Sequence, residues 1–194
     1  MGELASYRLS DFILFSQTAY YRQFELYNHA IWPLQIIAII FALMILYALW
    51  KKPVWTARVV AVLLVVSWLW VAWFFLYQRF YQIHVVANWY AFSFILQAGL
   101  IIWYGVINQC FVLFVESQIR KSIGSGLLFI AIIIYPFIAL ITGRSWMQFE
   151  MFALAPDPTV LATLGILFLH KVPVVLYVIP LIWILLSAVT LSVM

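Results

Sequence analysis

Apolar residues run along this chain in blocks too long for strands and too continuous for one face of a soluble helix, with polar residues gathered between them. Five blocks predict membrane spans, at 34–50, 54–77, 90–115, 127–142 and 172–194. Ahead of them, 10–30 has a different period. Asp11, Thr18, Arg22, Glu25 and His29 form one polar stripe, while Ile13, Tyr20, Phe24, Tyr27 and Ile31 repeat the spacing on the opposite face. That pattern predicts an amphipathic helix started by Ser10-Asp11 and lying at the interface or against the spans.

A sixth apolar block, 158–170, is the exception. Asp157-Pro158 reads as a helix start, with Asp in the N-cap position and Pro in the first turn. About 13 residues at ~1.5 Å each reach only ~20 Å, short of a hydrocarbon core of ~30 Å. With His170 and Lys171 at one interface, Asp157 and the positive helix end lie below the other. The non-helical stretch from Ser145 to Pro156 should therefore fold inward, away from lipid. The expected architecture is all-α, a polytopic transmembrane bundle of about six membrane helices, five full and one short or broken. An N-terminal interfacial helix completes a single domain over residues 1–194.

Polar and special residues inside the blocks refine this picture. Ser93, Gln97, Tyr104 and Asn108 share one helical face that should point into the bundle as interhelical glue. Replacing Gln97 by Leu should then be tolerated if its partner is another amide or water. Gly99 and Gly105 are six apart and make no GxxxG motif, Gly124-Ser125-Gly126 loosens the start of the fourth span, and Pro136 kinks it. Trp70 and Trp73 could stack a flat ligand but read as packing or lipid contacts.

Composition excludes a soluble domain, with 68% hydrophobic and 8% charged residues. Ten Trp, eleven Tyr and sixteen Phe suit aromatic belts at the headgroups. The ten Lys and Arg are scattered singly or in pairs between apolar blocks, which orients a membrane protein and makes nucleic acid no partner. Lys51, Lys52, Arg58, Arg120, Lys121 and Lys171 fall on one side, and Arg8, Arg22, Arg79 and Arg144 on the other. Both termini should therefore be outside. The single Cys110 allows no internal disulfide or CxxC motif, and Met1 to Ala30 lacks the apolar core of a cleavable signal peptide.

Three stretches resemble a family of small bacterial integral membrane proteins catalogued as a domain of unknown function. They are DFILFSQTAYYRQFELYNHAIWPLQ (Asp11 to Gln35), NWYAFSFILQAGLIIWYG (Asn88 to Gly105) and GRSWMQFEMFALAPDPTVLATLG (Gly143 to Gly165). The third, with APDPT followed by TLG, is no generic membrane pattern. The resemblance implies a multi-pass protein of the bacterial inner membrane with a shared outer-side cluster, and implies no activity.

Candidate chemistry is sparse. His29, His84 and His170 lie in three separate connectors and call for no metal or haem, and Cys110 has no base beside it. No cofactor is implied. What stands out is Arg144 near Glu150 and Asp157, at a depth where charge is expensive. Arg144 should pair with one of the two. With Arg22, Glu25 and His29 they outline an outer vestibule, supporting a protein that binds or translocates a small solute or ion. A non-catalytic subunit or assembly factor of a larger membrane complex is the alternative; the partners to expect are the lipid bilayer and either a second copy, as a homo-oligomer, or that larger complex. A membrane enzyme using Glu150 and Asp157 as a carboxylate pair is third. Reporter fusions after Lys52 and Lys121 should both read cytoplasmic; an external signal at either overturns the orientation.

Overall fold

The computed structural model describes residues 16–51, 55–82, 84, 86–111 and 117–193. Among these residues the chain is all-helical, and five helices are long and apolar enough to cross a membrane: α2 (Leu34–Lys51), α3 (Thr56–Gln82), α4 (Ala87–Ile107), α5 (Gln118–Ile141) and α7 (Val175–Val193). The shorter helices are α1 (Gln17–Ala30), ahead of them, and α6 (Pro156–Leu169), between α5 and α7.

Helix α1 starts at Ser16, whose side chain accepts from the Ala19 N–H at 3.2 Å. Ser10, Asp11 and Ile13 lie outside the described residues. The apolar face of α1 is buried at Tyr20, Phe24, Tyr27 and Ile31, while Thr18, Arg22 and His29 are exposed. Phe24 stacks on Phe75 at 4.7 Å and Tyr20 meets Phe80 edge-on at 5.8 Å, so α1 is strapped to the far end of α3. Trp70 packs as a structural residue: its ring stacks on Phe74 and its Nε1–H donates to the Tyr27 hydroxyl at 2.7 Å.

Span boundaries differ most from the sequence pattern at the start of α5 and the end of α4, while α3 runs on to Gln82, five residues past 77. Helix α5 begins at Gln118, not 127, so Arg120, Lys121 and Gly124-Ser125-Gly126 are helical. Gly124 does not loosen the helix; it allows a close crossing. A Cβ on Gly124 would lie 2.8 Å from the Gly165 carbonyl oxygen of α6, and a Cβ on Gly165 would meet the Gly124 oxygen at the same distance. Ahead of Pro136, α5 widens into a π-helical turn at Ile130–Ile134, which accommodates the N–H that proline lacks. Helix α4 stops at Ile107, eight residues short of 115, and Gln109 beyond it has φ 50°. Asn108 is therefore an exposed residue outside the helix, and the expected polar line is broken.

The centre of the bundle is α6. Twelve of its fourteen residues are buried, against three of nineteen in α7, so it has no face left for lipid. It packs on α5 through the glycine crossing, on α7, and on α3, where Trp68 Nε1–H donates to Thr163 Oγ1 at 2.9 Å.

Of the polar line on α4, Gln97 is the fully buried member. Its amide donates to the Leu176 carbonyl at 3.0 Å. That carbonyl is free because the residue four positions on, which would donate to it in a regular helix, is Pro180. The glutamine supplies the donor that the proline removed. The partner is thus backbone, and Gln97→Leu is expected to destabilise by about 1–3 kcal/mol. Adding Pro180→Ala should recover most of that loss in detergent thermal unfolding; a double variant no more stable than Gln97→Leu would break the link.

Candidate functional site

The segment joining α5 to α6 is set in place by a chain of local devices. Helix α5 ends in a Schellman motif: Gly143 takes φ 72°, its N–H bonds the Leu140 carbonyl at 3.2 Å, and the Arg144 N–H bonds Ala139 at 2.8 Å. This fixes the backbone of Arg144 at the helix end. Ser145 then caps a 3-10 turn at Trp146–Gln148, accepting from the Met147 N–H at 3.3 Å. From Glu150 on the chain turns inward, with Phe152, Ala153, Leu154 and Ala155 all buried.

Buried non-helical backbone needs partners, and α1 provides them. Asn28 donates to the carbonyls of Met147 and Phe149 at 2.8 and 2.9 Å, and the Tyr27 hydroxyl donates to Leu154 at 3.1 Å. Gln35 in turn donates to the Asn28 carbonyl at 2.9 Å. The left-handed Ala153, φ 70°, is held by its N–H bond to Thr159 Oγ1 at 2.9 Å.

Helix α6 starts two residues earlier than Asp157 as cap requires. Ala155 is the N-cap, with Pro156, Asp157 and Pro158 as the first three helical residues. A helix start normally leaves its leading N–H groups without helical partners. Here Pro156 and Pro158 have none to leave, and the Ala155 N–H is taken by the Met151 carbonyl at 2.9 Å. The two prolines make a buried start tolerable without a side-chain cap.

Asp157 is thereby released for a different task. Its carboxylate accepts from Trp183 Nε1–H at 2.7 Å, the Ser187 hydroxyl at 2.7 Å and the Tyr135 hydroxyl at 3.0 Å. Tyr135 and Ser187 each stand six residues before the end of their helices, Ile141 and Val193, so Asp157 lies about 9 Å below both ends. Beside it is a cavity of about 50 Å³, lined among others by Tyr20, Tyr90, Trp183 and Ser187, large enough for water.

The other carboxylate is placed differently. Arg144 Nη1 approaches Glu150 Oε1 at 3.5 Å, and among the described residues Glu150 Oε2 is buried without a hydrogen-bond partner. Glu150 lies in the connecting segment, outside the spanning helices. Burial, and secondarily the neighbouring Asp157 carboxylate, push its pKa up to about 8, with Arg144 pulling the other way. Arg144 also donates from Nε to Thr142 Oγ1 at 2.9 Å and lies 3.9 Å over the Tyr21 ring. Its outer side faces an open pocket of about 470 Å³ lined by Gln17, Thr18, Tyr21, Thr142, Gly143, Ser145 and Gln148.

The six residues read from the sequence thus divide. Arg144 pairs with Glu150; Asp157 stands apart, bonded to Tyr135, Trp183 and Ser187. Arg22 and Glu25 pair with each other at 2.6 Å on the exposed side of α1, and Glu25 also accepts from Gln148 Nε2 at 3.2 Å. Those two bonds hold the Glu25 carboxyl below the usual range. His29 is exposed in the last turn of α1 and joins none of these contacts. The residues that sequence reasoning missed are Tyr27, Asn28, Tyr135, Trp183 and Ser187. The last two were visible as an i, i+4 polar pair in an apolar helix, whereas nothing in the chain marks Tyr135 as their companion.

These features define an all-helical protein with five helices apt to cross a membrane and a sixth, short one buried behind an ordered inward fold. The chain belongs to the family of unknown function DUF6064, which matches residues 17–193. No curated protein and no solved structure matches it.

A three-donor acceptor and an N-cap respond differently to Ser, which caps well but is too short to reach Trp183, Ser187 and Tyr135 together. Asp157→Ser should therefore destabilise as much as Asp157→Ala, by about 3 kcal/mol or more in thermal unfolding. A stability near wild type for Asp157→Ser would restore the cap as its role.

Proposed function

We propose that this protein binds a small anionic solute in the open pocket at Arg144, as the first step of its recognition or passage across a bacterial inner membrane. The observation that carries the reading is the position of the guanidinium, between a polar pocket open to water and a buried carboxylate that holds it at only 3.5 Å. Two of its N–H groups are used, by Thr142 and Glu150, which leaves others for a carboxylate or phosphate-like ligand. The Tyr21 ring, 3.9 Å beneath the guanidinium carbon, adds a cation–π contact that helps hold it there. The Lys and Arg distribution supports a pocket opening away from the cytoplasm.

Glu150 makes such binding respond to protons. Below about pH 8 it is neutral and leaves the charge of Arg144 to the ligand; above that it is ionised and competes for the same cation. Anion affinity should fall as pH rises through about 8.

The alternative, a non-catalytic subunit of a larger complex, draws on Asp157. Its carboxylate is fully engaged by three side chains of the protein, as in a structural tether. Purification in mild detergent separates the two readings, since a lone monomer or homo-oligomer disfavours a subunit.

Titration of the purified protein with acetate, phosphate and sulfate is the direct test. At least one should bind, weaken at least tenfold in Arg144→Gln, and lose its pH dependence in Glu150→Gln. Binding indifferent to Arg144→Gln removes the pocket from consideration.

A further inference from the structure

At the opposite end of the bundle a groove of about 500 Å³ separates α2 from α5. Helix α2 packs chiefly along α3, and the side it turns to α5 is not filled by protein. One wall is a single stripe of α5, Lys121, Ser125, Leu128, Ile132, with Phe129 and Ile133 beside it; Leu46, Leu49 and Trp50 of α2 form the other, over a floor at Leu169.

Its polarity runs in one direction. Lys121 and Ser125 stand at the end where α2 finishes in Trp50 and Lys51, and everything beyond them along the stripe is apolar. Lys51 lies 4.1 Å over the Trp50 ring, which puts a second ammonium at that mouth. Among the described residues Lys121 has no acidic partner. Arg120, its neighbour, is committed, donating to the His170 carbonyl at 3.3 Å and reaching the Tyr177 hydroxyl at 3.5 Å. From Lys121 to Ile133 the stripe is about 18 Å long at ~1.5 Å per residue, close to the ~15 Å of one leaflet.

A cation and a hydroxyl at one end, an indole beside them, and one leaflet's depth of apolar groove match one kind of occupant. We propose that the α2–α5 groove is a binding site for an anionic phospholipid, with its phosphate at Lys121 and Ser125 and an acyl chain along Leu128 to Ile133. The site belongs to the leaflet at the basic end of the bundle, where anionic headgroups and interfacial lysines attract each other. It is independent of the Arg144 pocket and lies at the other end of the helices.

The test uses the full-length protein in mild detergent, incubated with mixed micelles of equal phosphatidylglycerol and phosphatidylcholine, with bound lipid counted by native mass spectrometry. Wild type should retain phosphatidylglycerol in preference to phosphatidylcholine. Lys121→Glu should lower that retention at least fivefold, since it removes one interfacial cation and puts an anion in its place. Ile133→Trp, which fills the groove from an exposed position, should displace the lipid without touching the charge. Arg58→Glu is the control: it makes the same charge change on an exposed residue at the same end, outside the groove, and should leave retention unchanged. Equal losses in Lys121→Glu and Arg58→Glu would reduce the site to a diffuse basic surface. Retention that survives Ile133→Trp, or equal retention of both lipids, would equally overturn it.

Discussion

A peptide group without a hydrogen-bond partner costs several kcal/mol in hydrocarbon, and the connecting chain between Arg144 and Ala155, folded inward from Glu150 on, has to meet that constraint without a regular helix. Its carbonyls are met by Tyr27 and Asn28, its left-handed alanine by Thr159, and the start of α6 by two prolines that have no N–H to satisfy. Helix α1 is therefore no loose interfacial appendage. It is the lid that makes the broken segment tolerable, and its apolar face clamps it to α3 so that Asn28 and Tyr27 arrive in register.

The same segment holds two carboxylates with opposite characters. Asp157 is surrounded by donors from α5 and α7 and ties the start of α6 to them about 9 Å below the ends of those two helices. Glu150 is under-satisfied, with one oxygen unpartnered among the described residues and a long contact to Arg144. A fully bonded group resists change, whereas an incompletely bonded one responds to protons and to ligands. The division of labour follows from hydrogen bonding more than from burial, since both side chains are buried.

The five long helices were legible because apolar runs of that length have few other uses. The inward fold was legible in part: a 14-residue helix cannot reach across and its start must be sheltered, but the fold expected from Ser145 begins only at Glu150, with Ser145 and Trp146 exposed. Less legible were the contacts between distant segments. Asp157 before Pro158 looks like a cap in sequence, and only the placement of Ala155 and Pro156 shows that the capping position is already taken. Gly124 reads as a loosening residue until Gly165, forty-one positions on, is found against it. Gln97 reads as interhelical glue, but that its partner is a carbonyl orphaned by Pro180 depends on the register between α4 and α7.

Two of the three donors to Asp157, Trp183 and Ser187, come 26 and 30 residues later in the chain. During synthesis the aspartate and the short helix behind it therefore precede the groups that make their burial acceptable. Helix α6, too short to insert alone and wrapped on every side in the finished bundle, has no stable place in the bilayer until α7 has emerged. The last helix acts as the closing piece of biogenesis: a chain truncated before Val175 keeps four long apolar helices but leaves the Asp157 carboxylate with Tyr135 alone of its three donors.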